Sequence, residues 1–234
     1  MKKKYYMILS SASTTILILA IFCTVCFLYS PRTIFNRTTY SVVEVKSYTG
    51  DRESYGSAVV IDKEGNLITN YHVISYSQNN TDYLYENVSI RLATEDDYIE
   101  ADVTKFDIDK DLAIINVGNL QTREKLKVIA FGNPDSISAG DTCYAVGNSG
   151  NLMITISKGI INSSSVILSI EGDQGAYIQS DNSTMSGSSG GALLDKYGRL
   201  IGIIDLRLKD NTGAIIYGYC YSIPLNVVKS FIES

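Results

Sequence analysis

The chain has 234 residues, 45% of them hydrophobic and 19% charged, enough for one large all-β domain or two small ones. Its 20 basic and 25 acidic residues leave a net charge of −5, and beyond the first four residues Lys and Arg do not cluster as a nucleic-acid groove would need. One histidine and four cysteines give neither a disulfide scaffold nor a convincing metal-ligand set, and no cofactor is expected.

Lys2, Lys3 and Lys4 precede Tyr5 to Tyr29, a run without a single charge. A helix of that length crosses the roughly 30 Å core of a bilayer, with Ile16 to Phe27 at its centre and Tyr5, Tyr6 and Tyr29 at the interfaces. A cleavable signal peptide is the rival reading. No small-x-small site follows Phe27, so a retained anchor is preferred, with residues 1–4 cytoplasmic, 5–29 in the membrane and 30–38 a linker. Everything beyond would then lie outside the cytoplasm. Cys23 and Cys26 fall inside the apolar run, a poor setting for a metal or redox pair. Without the three lysines, 17 basic residues face 25 acidic ones, so the remainder is acidic.

From Thr39 the pattern is short strands broken by turns. Tyr40–Tyr48 is the first, and Ser57–Asp62 and Leu67–Thr69 flank a hairpin signal, Lys63-Glu-Gly-Asn66. Val88–Leu92, Ile99–Phe106 and Leu112–Val117 follow, then Asp141–Val146, Met153–Ser157, Val166–Ile170 and Gly175–Gln179. Leu200–Ile204 and Ile215–Ile223 complete the series. Only Leu225–Glu233 has helical spacing, with Pro224 just before it. About a dozen strands with Gly and Asn turns argue for an all-β sandwich or barrel. Residues 120–138 are polar and could join two halves.

Gly187-Ser-Ser-Gly-Gly191 is the densest small-residue stretch and runs directly into apolar Ala192-Leu-Leu194. Such a loop can turn its N–H groups inward around a hydroxyl, Ser189, as acyl transfer requires. It also reads as a plain Ser/Gly turn. His72 is the one histidine, at a strand end in Thr69-Asn-Tyr-His-Val73, with a reference pKa near neutrality. A lone histidine is more often structural. Asp102, Asp107, Asp109 and Asp111 are candidate orienting carboxylates, and Asp111 stands out because it leads into the buried run Leu112–Val117. Together, His72, Asp111 and Ser189 follow the chain order His…Asp…Ser of chymotrypsin-like proteases.

At these residues the sequence resembles a trypsin-like serine protease of the HtrA/Deg branch. The matching blocks are GSAVVIDKEGNLITNYHVI around His72, DIDKDLAIINV around Asp111, GDTCYAVGNSG followed by SKGII near Gly159, YIQSDNSTMSGSSGGALLDKYGRLIGI around Ser189, and YSIPLNVV near the end. The resemblance implies two six-stranded antiparallel β-barrels with a C-terminal helix, preceded by the transmembrane helix. The protease domain would span 39–234, with barrels at 39–119 and 139–223, a connection at 120–138 and the helix at 224–234. It further implies Ser189 as nucleophile, His72 as base, Asp111 as its orienting acid, and an oxyanion hole at Gly187, Ser188 and Ser189. The substrates would be extended or unfolded protein segments.

Departures from the family pattern qualify this. Ser188 stands where digestive trypsins carry an activating Asp, so loop 184–188 is expected to switch by its own rearrangement. Ser183 should form the base of the S1 pocket, Asp205, Leu206 and Arg207 one wall, and Cys220 should replace a wall glycine. A thiol there shrinks the pocket and implies small aliphatic P1 residues; an ordinary buried thiol with no effect on specificity is the alternative. The branch's PDZ module is not expected in this sequence, and a trimer remains open. The alternatives are a catalytically silent barrel pair that binds proteins at the cell surface, and an esterase.

Overall fold

The computed structural model describes the backbone of residues 2–170, 173–205 and 218–234, and the side chains of 14–168, 175–205 and 218–234. Helix α1 (Lys2–Leu28) is followed by α2 (Pro31–Thr38), where the sequence reads as a linker. Ser30 caps α2 by accepting the Thr33 N–H, and Pro31 occupies its first turn, where a missing N–H costs nothing. Among the described residues no single helix is long and apolar enough to cross a membrane. Thr14–Leu28 and Pro31–Thr38, bent by 50°, meet that requirement as a pair.

The first unit contains β1 (Val42–Thr49), β2 (Arg52–Val60), β3 (Asn66–Thr69), the one-turn helix α3 (Tyr71–Ile74), β4 (Ser75–Gln78), β5 (Thr81–Leu84), β6 (Asn87–Arg91), β7 (Ile99–Glu100), β8 (Asp102–Asp107) and β9 (Leu112–Asn116). Seven of these strands form one sheet in the order β7-β6-β1-β2-β3-β9-β8. Its two edges, β7 and β8, are consecutive in the chain and separated only by Ala101. Counted as one strand kinked at that residue, they close a six-stranded antiparallel barrel. β4 and β5 form a separate ribbon, turned by Asn79 and Asn80 at φ +54° and +59°.

After α4 (Leu120–Lys125), the second unit is a closed six-stranded barrel in the order β10-β11-β12-β15-β14-β13. Its strands are β10 (Thr142–Gly147), β11 (Thr155–Ile170), β12 (Asp173–Ser180), β13 (Ala192–Asp195), β14 (Leu200–Asp205) and β15 (Cys220–Pro224), and α5 (Leu225–Glu233) ends the chain. Met153–Ser157 and Val166–Ile170, which read as two strands, belong largely to the single long β11. Its pairing with β12 shifts register at Ser163, between the two apolar parts. The start of the expected strand at 215–223 lies outside the described residues.

Strand alternation divides the core into three. Val43, Ala58, Val60, Leu67, Ala113 and Ile115 point into the first barrel, while Cys143, Ala145, Leu193, Ile201, Ile204 and Cys220 point into the second. The residues between them, Val42, Val59, Ile68 and Ile114 on one side and Tyr144, Val146, Leu194 and Ile203 on the other, share a third cluster. That cluster holds the two barrels together. Ile34 of α2 joins it, as do Leu225, Val228 and Phe231 along one face of α5. With both faces covered, the strands read as unbroken apolar runs.

Phe231 is 1% exposed and belongs to this shared cluster. Phe231→Ala should destabilise the protein by about 3–5 kcal/mol, measured by chemical denaturation; a cost under about 1 kcal/mol would contradict the packing described.

Candidate active site

The end of β3 and the start of β9 lie side by side, which brings His72 and Asp111 together across 39 positions of sequence. Asp111 is fully buried and both its oxygens serve one residue. Oδ1 accepts the backbone N–H of His72 at 2.9 Å, and Oδ2 lies 2.7 Å from His72 Nδ1. A carboxylate only accepts, so Nδ1 carries the hydrogen and Nε2 presents its lone pair. Asp111 takes φ +50°, an uncommon conformation for a residue with a β-carbon. The Asn70 side-chain amide holds it there by donating to the Asp111 carbonyl at 3.0 Å. The His72 side chain remains 31% exposed, open to the cleft.

Ser189 lies in the turn between β12 and β13, on the second barrel, and is 6% exposed. Its carbonyl accepts the Ser57 N–H of β2 at 2.7 Å. Gly56, the preceding residue, packs so closely on Val73, next to His72, that a β-carbon would meet Val73 Cγ1 at 2.5 Å. The loop is therefore docked against the segment that carries the histidine. Two glycines permit this. Gly190 takes φ +82° with its would-be β-carbon 2.0 Å from Ser57 O, and Gly187 takes φ +93° with its own 2.2 Å from Asn148 O. Ser188 N–H is used by Met185 O at 2.9 Å, so it is not available to a ligand. The N–H groups of Gly187 and Ser189 donate to no protein acceptor among the described residues.

Ser57 joins the two barrels at this point. Its Oγ donates to Gly187 O and accepts the Asn148 N–H, both at 2.8 Å. Sequence reading missed Ser57 and Asn70. The signals were there, a buried hydroxyl in the apolar run Gly56–Ile61 and an amide two residues before the histidine.

Asp205 is 1% exposed at the end of β14. One of its carboxylate oxygens, one Asp111 oxygen and one His72 ring nitrogen all lie within 4.8 Å of one another. Expected along a pocket wall, Asp205 instead turns its carboxylate to this pair. Such a spacing can also suit a cation, and the sequence had shown no ligand set. Donors bound at about 2.1 Å around a tetrahedral ion sit roughly 3.4 Å apart, however. The 2.7 Å between His72 and Asp111 is hydrogen-bond distance.

Of the other residues expected around a specificity pocket, Ser183 is exposed, and its N–H donates to Ser157 Oγ at 2.9 Å. Leu206 and Arg207 lie outside the described residues. Cys220 is fully buried, its sulfur 3.9 Å from Ser222 Oγ, and burial raises its pKa. Cys143 is also a free thiol, pushed up to about 12 by burial, and donates to Asn182 Oδ1 at 3.1 Å.

The family model for the trypsin-like peptidase domain matches residues 56–203, a span that contains His72, Asp111 and Ser189. The chain belongs to the trypsin-like peptidase family. This peptidase domain is 33% identical over 183 residues to the periplasmic pH-dependent serine endoprotease DegQ of Escherichia coli, covering 77% of the chain and 37% of DegQ. It is 31% identical over 201 residues to the serine endoprotease DegS of Salmonella typhimurium, covering 85% of the chain and 51% of DegS. Among solved structures, the HtrA-type protease AlgW with a tripeptide superposes with a TM-score of 0.73 at 28% identity, over 88% of this chain and 63% of AlgW. The chain thus spans between about a third and a half of the length of these two curated relatives.

Removing the Ser57 hydroxyl leaves the buried Gly187 carbonyl and Asn148 N–H without their partner. Ser57→Ala should therefore cost about 1–3 kcal/mol in chemical denaturation; no measurable loss would contradict the clamp.

Proposed function

We propose that this domain is a serine endopeptidase of the HtrA type, cleaving extended or unfolded protein segments outside the cytoplasm. The observation that carries this reading is the double hold of buried Asp111 on His72, facing a Gly-Ser loop docked from the other barrel. With its tautomer fixed, His72 takes the Ser189 hydroxyl proton on Nε2 as Oγ attacks the peptide carbonyl. Asp111 stabilises the imidazolium that forms. The carbonyl oxygen becomes an anion, met by the Gly187 and Ser189 N–H groups, each worth roughly 3–4 kcal/mol in such sites. His72 then protonates the departing amine. Water, deprotonated by the same imidazole, releases the acyl group from Ser189.

The peptides in the AlgW structures support a peptide-binding cleft by likeness. The preference for small aliphatic P1 side chains rests on the family pattern, in which Cys220 takes the place of a wall glycine; the thiol itself packs fully buried inside the second barrel. The uncharged run from Tyr5 to Tyr29, the exposure of Ile16 to Phe27 on α1 and the bent pair with α2 support a single membrane anchor. Tyr29 packs edge-on against Tyr197 of the second barrel, ring centres 5.1 Å apart, which ties the end of α1 to the domain.

A denatured protein substrate tests the reading. The native chain should cut it mainly after Ala or Val, and Ser189→Ala should abolish cleavage while keeping the native circular dichroism spectrum. Undiminished cleavage by Ser189→Ala would remove the mechanism, and cutting mainly after Lys or Arg would remove the pocket assignment.

A further inference from the structure

Asp111 accounts for the orientation of His72, yet a second buried carboxylate stands beside the same imidazole. Asp205 reaches it from the other barrel. Its strand is fixed at the nucleophile loop, because the Ile204 carbonyl accepts the Gly190 N–H and the Ile204 N–H donates to Gly191, both at 2.9 Å. On its other side β14 pairs with β15, Asp205 opposite Tyr221. Asp205 is therefore held in place by the backbone that also holds Ser189. Burial to 1% exposure keeps water from screening it.

We propose that Asp205 is a second acidic partner of His72, a positioning residue that stabilises the protonated imidazole and so sets the lower pH limit of the reaction. The inference rests on the peptidase reading above for its consequence in activity, but not for its consequence in His72 itself. An anion within about 4–6 Å favours a charged partner and typically moves its pKa by one to three units. Imidazolium is the charged form of His72, so Asp205 raises the pH at which half the imidazole is protonated. The base in catalysis is neutral His72. Activity is then present above that pH and lost as pH falls through it, and removing the carboxylate extends activity to more acidic conditions.

The neighbouring titratable groups do not supply the same charge. Tyr71, beside His72 on α3, has its pKa raised, chiefly by burial, and stays neutral. Cys220, near Asp205, is raised by burial as well and stays a thiol. On the strands packed against α3, Glu44 pairs with Arg91 at 2.9 Å, Lys46 pairs with Glu53 at 2.7 Å, and Arg52 stacks over the Tyr76 ring. The exception is Asp111, just before β9, the carboxylate already bonded to His72 Nδ1.

His72 is the only histidine in the chain, so its imidazole NMR signals need no assignment. The experiment titrates them in the full chain carrying Ser189→Ala, which prevents self-cleavage, with and without Asp205→Asn. The midpoint should fall by about one pH unit or more on losing the carboxylate, and Asp205→Glu should keep it near the starting value. In chains that retain Ser189, the acidic limb of kcat/KM on a peptide should move to lower pH by the same amount in Asp205→Asn. A His72 midpoint that stays put or rises would overturn the proposal, as would a fall in kcat with the pH profile unmoved. If Asp205→Asn does not fold, the smaller Asp205→Ser gives the same readings. Absence of any peptidase activity in the native chain would count against the function above, while the NMR midpoint would still decide the role of Asp205.

Discussion

One serine side chain in the first barrel fixes the loop that carries the hydroxyl of the second. Ser57 bonds Gly187 and Asn148 through its Oγ, and its N–H bonds the Ser189 carbonyl. The apolar cluster shared by the barrels supplies most of the attraction between them, but burial of surface is non-directional and sets no angles. Hydrogen bonds do, because they weaken steeply away from their preferred geometry. A site assembled from two barrels depends on this directional contact, since His72 and Ser189 lie on different ones.

Burial gives the site its electrostatic character. Asp111 and Asp205 come from different barrels and meet in a region closed to solvent, where charges act on one another more strongly than in water. The left-handed backbone at Asp111 is an unfavourable local conformation, tolerated because Asn70, His72 and the start of β9 all constrain it. The Asn70 amide N–H, the Ser57 hydroxyl and the Asn148 backbone N–H are each tied to a partner across the fold. That rigidity lets one imidazole keep a single tautomer.

Much of this was legible from residue order. Strand spacing gave the all-β class, the Lys63–Asn66 hairpin appears as the β2–β3 turn, and α5 follows Pro224 as its spacing implies. The order of His72, Asp111 and Ser189 is that of the trypsin-like peptidase family, whose matched span, residues 56–203, contains all three. Other features were not legible for physical reasons. The polar Ser163–Ser165 stretch split β11 into two apparent strands, because a register shift looks like a turn in local pattern. The Asn79-Asn80 turn lay in a polar run with no apolar alternation to mark its strands. Asp205 was visible as the end of a buried strand, but its neighbours across the cleft are set by long-range pairing that no local period encodes.

The most direct measurement of the account is labelling of the full chain with a fluorophosphonate, followed by mass-spectrometric location of the adduct. That reagent reacts with a serine only where a base has activated its hydroxyl. One adduct on Ser189, lost in His72→Ala, is the predicted result. An adduct on another serine, or equal labelling of Ser189 without His72, would contradict a base and a nucleophile brought together from the two barrels.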